Sequence, residues 1–219
     1  WKHNDTKISH DADRLPNGNT IYVFGDHDEL NDAQVKEVNP KGEIVWSWHA
    51  KDHFNKPPFL DISDQGWTHT NTVIRLTNGN TLISPRNFNL LVEVDPGGEP
   101  VRLIGESFLR HPHDPVVLDN GNILVANHQR PMRSIEIDGK TGEVVWRFPN
   151  FDRMNTPVRD ADRLPNGNTI ITGTRKIVEV TPDREVVWEL RYKKFNIKTG
   201  LGRARKGFFK AQRIPLSSP

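Results

Sequence analysis

The turn Asn-Gly-Asn recurs along the chain and constrains the fold more than any other sequence feature. Its four copies begin at Asn17, Asn78, Asn120 and Asn166. Alternating apolar residues flank each copy, and Asn-Gly between such runs indicates a hairpin, because both residues tolerate a positive φ. The match extends beyond the turn, since HDADRLPNGNT from His10 returns as RDADRLPNGNT from Arg159. The chain is therefore a repeat of one β-rich unit.

Each unit continues with a second β-hairpin, so it holds four short strands, here called A to D. Four-stranded units at this spacing are typical of an all-β fold of the β-propeller type, whereas a β-sandwich does not explain the internal identity. We predict one domain over 1–219, with four complete units at about 10–48, 69–104, 113–148 and 159–190 and a lone last strand at about 208–215. Because five or six units are more usual than four, we expect a propeller truncated at its amino-terminal side.

Composition excludes several classes of function. The chain has 30 basic and 28 acidic residues, and the resulting net charge of +2 gives no reason to expect nucleic-acid binding. The absence of cysteine excludes disulfides, thiolate catalysis and cysteine-ligated metals. No apolar run approaches the ~18 residues of a membrane span.

We predict neither a metal site nor a cofactor. The acidic run from Asp26 to Asp32 lacks the spacing and the glycine of a calcium loop, so a solvated loop is the better interpretation. His49 and His53 lie four residues apart in a polar connector, which is a weak zinc signal. A quinoprotein-like propeller is disfavoured, because its IDGKTGEVVW-type tract occurs in one unit alone and no quinone site accompanies it.

Propeller geometry gathers the residues that precede strand A of every unit at one mouth of the central channel, opposite the Asn-Gly turns. Ligands bind by default in such a funnel. The positions just before strand A and in the B–C loops supply His, Asn and Arg side chains: His10, His69, Asn71, Arg86, His113, Arg130, Arg133 and Arg159. Arginine forks suit sulfate, phosphate or carboxylate, and histidine can donate, exchange protons or attack as a nucleophile. The aspartates Asp11, Asp114 and Asp160 are better explained as strand caps.

Three tracts resemble the arylsulfotransferase (aryl-sulfate sulfotransferase) propeller family. They are HDADRLPNGNT, the stretch WTHTNTVIRLTNGNTLISPRN from Trp67, and HPHDPVVLDNGNILVANHQR from His111. The most specific part is Trp-x-His-x-Asn followed by Ser-x-Arg, which here is Trp67, His69, Asn71, Ser84 and Arg86. The resemblance implies a six-bladed propeller that moves a sulfuryl group from an aryl sulfate to a phenol through a transiently sulfated histidine, without a nucleotide cofactor.

The resemblance also implies roles for residues. His69, His113, Arg86 and either Arg130 or Arg133 match the set that holds sulfate oxygens, with Asn71, His10 and Arg159 nearby. The nucleophile remains open between His113 and His69, because Arg159 and Asp160 stand at the strand start of the fourth unit. A non-catalytic ligand-binding or scaffolding propeller is the alternative function.

Location and partners follow from the same resemblance. It implies a periplasmic, secreted or membrane-anchored protein whose leader is not in this chain, which begins at Trp1 without a methionine. The expected partners are an aryl sulfate and a phenol, without nucleic acid. An open flank would favour homo-oligomers or require amino-terminal blades.

Overall fold

The structure is a computed structural model that describes residues 2–149, 157–192 and 207–214. The described chain contains sixteen β-strands and three 3₁₀ turns, at Ala50–Asp52, Phe59–Asp61 and Arg86–Phe88. The strands of the first two sheets are β1 (Ala12–Arg14), β2 (Thr20–Val23), β3 (Val35–Val38), β4 (Ile44–Trp48), β5 (Thr70–Arg75), β6 (Thr81–Pro85), β7 (Leu91–Val94) and β8 (Pro100–Ile104). Those of the last two are β9 (Pro112–Val117), β10 (Ile123–Asn127), β11 (Arg133–Ile137), β12 (Val144–Pro149), β13 (Val158–Arg163), β14 (Thr169–Gly173), β15 (Lys176–Val180) and β16 (Val186–Arg191).

The strands form four antiparallel sheets of four strands, and each sheet keeps its strands in chain order. Strands A to D of the sequence repeat are therefore the four neighbours of one sheet, with bounds within a few residues of the predicted units. The second strand of each sheet is almost wholly buried, whereas the fourth strand is largely exposed. The prediction of an all-β fold with almost no helix is confirmed.

The Asn-Gly-Asn turn closes the first hairpin and also holds the third strand. In the first sheet, Asn17 Oδ1 accepts the amide of Asn19 at 2.9 Å, and Gly18 adopts a φ of +84°. Asn19 Nδ2 then donates to Glu37 Oε1 at 2.6 Å. Equivalent bonds from the turn asparagine to the third-strand glutamate recur in the other three sheets, at 2.6, 2.7 and 2.7 Å. The recurring motif therefore fixes the register of three strands at once.

The same glutamates connect neighbouring sheets. Glu37 in β3 is buried and pairs with Arg75 of β5 at 2.7 Å, and Glu136 in β11 pairs with Arg163 of β13. Asp11, predicted to be a strand cap, accepts the amide of Val73 in β5 at 3.0 Å. These bonds place the first strand of one sheet against the preceding sheet.

A tryptophan of the fourth strand makes a further junction. Trp46 Nε1 donates to the carbonyl of Pro96 in the β7–β8 turn at 3.1 Å, and Trp146 Nε1 donates to that of Pro182 in the β15–β16 turn at 2.9 Å. The guanidiniums of Arg75 and Arg163 stand over the two indoles. Trp46 and Trp146 therefore pack between sheets, whereas the equivalent Trp188 is 46 % exposed.

The chain divides into two compact units, Trp1–Pro112 and His113–Pro219. The core of the first centres on Trp48, Phe54, Trp67 and Phe88, and that of the second on aliphatic residues of β10, β14 and β15 with Phe148. One domain over 1–219 stays a prediction.

The predicted last strand at 208–215 is not a strand over residues 207–214, which the structure describes. A strand needs a partner for its backbone groups, and here Phe208 N donates to Thr174 O at 3.0 Å without a continuing ladder. Arg213 nevertheless pairs with the buried Glu179, as Arg75 does with Glu37. The segment thus takes the place of a first strand without forming one. The basic tract Lys193 to Lys206 lies outside the described residues.

Candidate functional site

Three histidines of the first unit lie in the connectors just before the first strand of a sheet. His10 precedes β1, His69 precedes β5 and His111 precedes β9. All three have left-handed backbones, with φ of 64°, 46° and 50°. This region is uncommon for residues other than glycine and collects at sites where the surrounding structure holds strain. We call His10, His69, Arg86 and His111 the histidine cluster.

The backbone of His69 is held by a buried carboxylate. Asp28, only 3 % exposed, accepts the amides of Thr68 and His69, the Thr68 hydroxyl at 2.7 Å and Gln34 Nε2. Burial raises the pKa of Asp28, and these hydrogen bonds oppose the rise. The interpretation of the acidic loop as solvated is therefore wrong for Asp28, which turns inward to position the start of β5.

The ring of His69 is held in one tautomer. Its Nδ1 lies 2.8 Å from the carbonyl oxygen of Gln65, and a carbonyl can only accept, so Nδ1 carries the proton. Burial and the charge of Arg86 lower the pKa of His69 to about 4, so the ring is neutral at neutral pH. Nε2 then holds the lone pair, and no hydrogen bond to it is found among the described residues.

His111 has the opposite tautomer. Arg86 Nε, which can only donate, lies 3.1 Å from His111 Nδ1, so Nδ1 accepts and Nε2 carries the proton. Burial and Arg86 lower the pKa of His111 to about 4. Arg86 also pairs with Asp64 at 3.0 Å, and that carboxylate is half exposed. The pair therefore offers an N–H donor, which lies 4.0 Å from Asp64 Oδ2, and a guanidinium whose charge acts on His69.

His10 completes the cluster. Its ring meets that of His69 edge-on, with centroids 4.8 Å apart. Burial lowers the pKa of His10; the negative charge of Asp26 opposes this, and the positive charge of Arg86 lowers the pKa further. Because Arg86 acts on all three histidines, the four side chains share one electrostatic environment, to which Asp26 and Asp64 add negative charge.

Asn71 of the predicted set has a structural contact. The residue is buried, and its Nδ2 donates to the carbonyl of Pro112 at 3.0 Å, next to Ser84 Oγ at 3.3 Å from the same oxygen. Its amide thus binds main chain at the start of β9.

The second unit brings together two other predicted residues. His113 Nδ1 lies 2.7 Å from the carbonyl of Arg159, so it too carries its proton on Nδ1, and its ring stacks on that of His128 at 5.3 Å. Arg159 is buried, which lowers its pKa to about 10, and its Nε donates to Thr174 Oγ1. Its guanidinium lies 3.8 Å from the centroid of Phe209.

The remaining predicted arginines lie elsewhere in the second unit. Arg130 is exposed in the loop after β10, and Arg133 begins β11 beside a cavity. Nearby, Lys210 pairs with Asp114 at 2.8 Å, and burial together with Asp162 and Asp114 raises the pKa of Asp160. That His69, Arg86, His113 and Arg133 line one pocket stays a prediction.

Sequence reasoning missed three members of the first-unit arrangement. Asp28, Gln65 and Asp64 hold His69 and Arg86, and all come from loops without periodic patterning. The sequence did contain a signal for His111, because His69 and His111 each lie one residue before the first strand of a sheet. No group of three or more metal-ligating side chains occurs among the described residues. Nor does the described part contain a helix long and apolar enough to cross a membrane.

Solved structures with the same arrangement of sheets establish the class of fold. They include a Bacteroides caccae protein of unknown function (20 % identity, TM-score 0.59), a catalytically inactive virginiamycin B lyase from Staphylococcus aureus with quinupristin (12 %, 0.61) and the WD40 β-propeller domain of Doa1 (11 %, 0.59). The alignments cover 83, 84 and 82 % of this chain but 66, 56 and 52 % of those chains. The sheets are therefore β-propeller blades, and the chain spans one half to two thirds of the length of these structures.

The first part of the chain matches a family model. Residues 2–105 match the family model of arylsulfotransferase (ASST), which confirms the resemblance noted from the motifs around His69 and Arg86. A comparison with curated protein sequences finds no match.

Proposed function

We propose that the chain carries the sulfuryl-transfer site of an aryl-sulfate sulfotransferase-like enzyme, with His69 as the nucleophile. The observation that carries the proposal is the His69 tautomer: a neutral ring whose Nδ1–H is bound to Gln65 O and whose Nε2 lone pair lies in the field of Arg86. The match of residues 2–105 to the arylsulfotransferase family supports the same reaction class.

The chemistry is an in-line transfer in two steps. The Nε2 lone pair attacks the sulfur of an aryl sulfate, a nitrogen–sulfur bond forms, and the ester sulfur–oxygen bond breaks to release a phenolate. A second phenol then attacks the sulfur, the nitrogen–sulfur bond breaks, and neutral His69 returns. The proton lost by the acceptor balances the one gained by the released phenolate.

The other cluster members stabilise developing charge. Arg86 and the Nε2–H of His111 are donors to the equatorial sulfuryl oxygens, and both are partly desolvated, which strengthens such bonds. His10, edge-on to His69, is suited to exchange the proton between the two phenols. We propose Asn71, Arg130 and Arg159 as further substrate-binding residues of the whole protein, whereas Arg133 lines a separate cavity.

His113 is the second candidate nucleophile. It shares with His69 the Nδ1–H to carbonyl bond, made here to Arg159 O. The alternative function, a non-catalytic ligand-binding propeller, would keep the anion site and lack turnover. The family also suggests an extracytoplasmic protein acting on aryl sulfates and phenols.

The test uses 4-nitrophenyl sulfate as donor and a phenol as acceptor, with the full-length protein. Turnover releases 4-nitrophenol, and omission of the acceptor should trap a peptide containing His69 with one added SO₃ group, seen by mass spectrometry. His69→Asn should abolish both signals, because the amide can replace Nδ1–H but provides no Nε2.

His27→Asn is the matched control. His27 also has a left-handed backbone, with φ of 60°, yet its side chain is 76 % exposed outside the cluster. It should retain full turnover. If the added SO₃ group were found on a peptide containing His113, that residue would be the nucleophile. If turnover were absent while sulfate still bound, the non-catalytic ligand-binding propeller would be favoured.

A further inference from the structure

A second collection of positive charge lies in the second unit. A cavity of about 370 Å³ is lined by Arg133, Arg147, Phe148, Pro149 and Arg184. Arg133 begins β11, Arg147 lies in β12, and Arg184 lies in the turn between β15 and β16. Three arginines from separate elements thus face one space, and none of the described residues that line it is acidic.

The charges of these arginines are unbalanced. No ion pair to any of the three is found within the described residues, whereas Arg75, Arg163 and Arg213 each pair with a buried glutamate. Arg133 Nε is buried without a hydrogen-bond partner among the described residues, as is Nε of Arg75 and of Arg163, but Arg133 lacks their pairing with a glutamate. Burial and the nearby charge of Arg147 lower the pKa of Arg133. Gathering like charges in this way is unfavourable unless an anion joins them.

The backbone at Arg184 is an independent indication. In the other three sheets the equivalent turn position is glycine, namely Gly42, Gly98 and Gly142, with φ of 86°, 95° and 76°. Arg184 has a φ of 74° in the same turn, closed by its amide to Thr181 O at 2.9 Å. A side chain with a Cβ is strained there, and glycine is not. The fourth sheet therefore carries an arginine where the turn itself favours glycine.

We propose that this arginine pocket binds the anionic tetrahedral head of a sulfate or phosphate monoester, with the organic group against Phe148 and Pro149. Arginine forks match such oxygens, and the cavity has apolar wall beyond them. This site takes part in no bond making or breaking. It stands whether or not the histidine cluster transfers a sulfuryl group.

The test is calorimetric titration at low salt with inorganic sulfate, inorganic phosphate, 4-nitrophenyl sulfate and 4-nitrophenyl phosphate. All titrations use the His69→Asn protein, so that the histidine cluster cannot turn the sulfate ester over. Esters should bind more tightly than the inorganic ions, because only they contact Phe148 and Pro149. Equal affinity would overturn the ester assignment in favour of a free-anion site.

Arg147→Ala should weaken ester binding about tenfold or more, as expected for loss of a charge-assisted hydrogen bond. Arg147→Lys should recover part of the loss, since the charge returns without the fork. Arg184→Gly should also weaken binding while raising the thermal unfolding midpoint, so loss of affinity cannot be ascribed to unfolding.

Lys140→Ala is the control for net charge, because Lys140 is exposed in the β11–β12 turn. It should leave ester affinity within about twofold, apart from weak screening effects. An equal loss in Lys140→Ala and Arg147→Ala, or wild-type affinity in both arginine variants, would overturn the proposal.

Discussion

Arg86 Nε donates to Nδ1 of His111 at 3.1 Å, and this single bond decides which nitrogen of His111 carries the proton. The contact of His69 Nδ1 with Gln65 O decides the reverse arrangement for His69. Two buried, neutral histidines of one cluster therefore differ at Nε2: His69 has a lone pair there, and His111 has an N–H.

The tautomers are directly measurable. We expect nitrogen NMR of imidazole-labelled protein at neutral pH to show protonated Nδ1 in His69 and protonated Nε2 in His111, both neutral. Arg86→Gln should release the His111 preference and leave that of His69, because Gln65 O remains. The same tautomer in both rings would contradict the hydrogen-bond assignment.

Removing the charge of Asp28 should destabilise the first unit. In Asp28→Asn the amide NH₂ faces the amides of Thr68 and His69, which are themselves donors, so we expect a loss of about 2–3 kcal/mol in urea unfolding. Asp26→Asn is the matched control, since the Asp26 side chain is 54 % exposed. A similar, small effect of both changes would show that Asp28 does not hold the His69 backbone.

The contribution of His69 and His111 to stability should fall on acidification from about pH 6.5 to about pH 4. Folding lowers the pKa of His69 and His111 from 6.5 to about 4, so in this window the unfolded chain takes up protons that the folded chain does not. The loss is at most about 3 kcal/mol per histidine. Urea unfolding across this range should show a shallower slope in His111→Asn, which keeps an acceptor for Arg86, and the wild-type slope in His27→Asn.

Two equivalent tryptophans should differ in their contribution to stability. Trp46→Phe removes the indole bond to Pro96 O and should cost about 1 kcal/mol or more. Trp188→Phe should stay within about 0.5 kcal/mol, because its side chain is exposed. Chemical unfolding of the two variants provides the comparison, and equal losses would mean that the bond to Pro96 contributes nothing.

The sheets could be predicted from the sequence because their signals are local. Asn17, Gly18 and Asn19 lie next to one another in the chain, and the same three residues shape the turn and bind Glu37. The contacts of the histidine cluster are not local. Gln65 and Asp64 belong to an irregular connector whose path depends on Gly66, where a Cβ would lie 2.5 Å from Asp28 Oδ1.

Only part of the arginine pocket could be predicted from the sequence. Arg184 stands out in the sequence as a departure from the glycine of its repeat, yet Arg133 and Arg147 join it only through the pairing of β11 with β12 and the approach of the β15–β16 turn. Alignment of the repeats identifies Arg184. That Arg133 and Arg147 lie beside it becomes visible only when the sheets are packed.

The junction formed by Trp46, Arg75 and Glu37 gives the molecule a modular energetics. This junction and that of Trp146, Arg163 and Glu136 each couple two sheets within one unit, so the free energy of each unit approximates a sum of single-sheet and nearest-neighbour contributions, as in linear repeat arrays. Damage to one junction then spreads no farther than the adjoining sheet. Such a chain can gain or lose whole blades during evolution while each remaining blade keeps its own ligand-binding loops free to diverge.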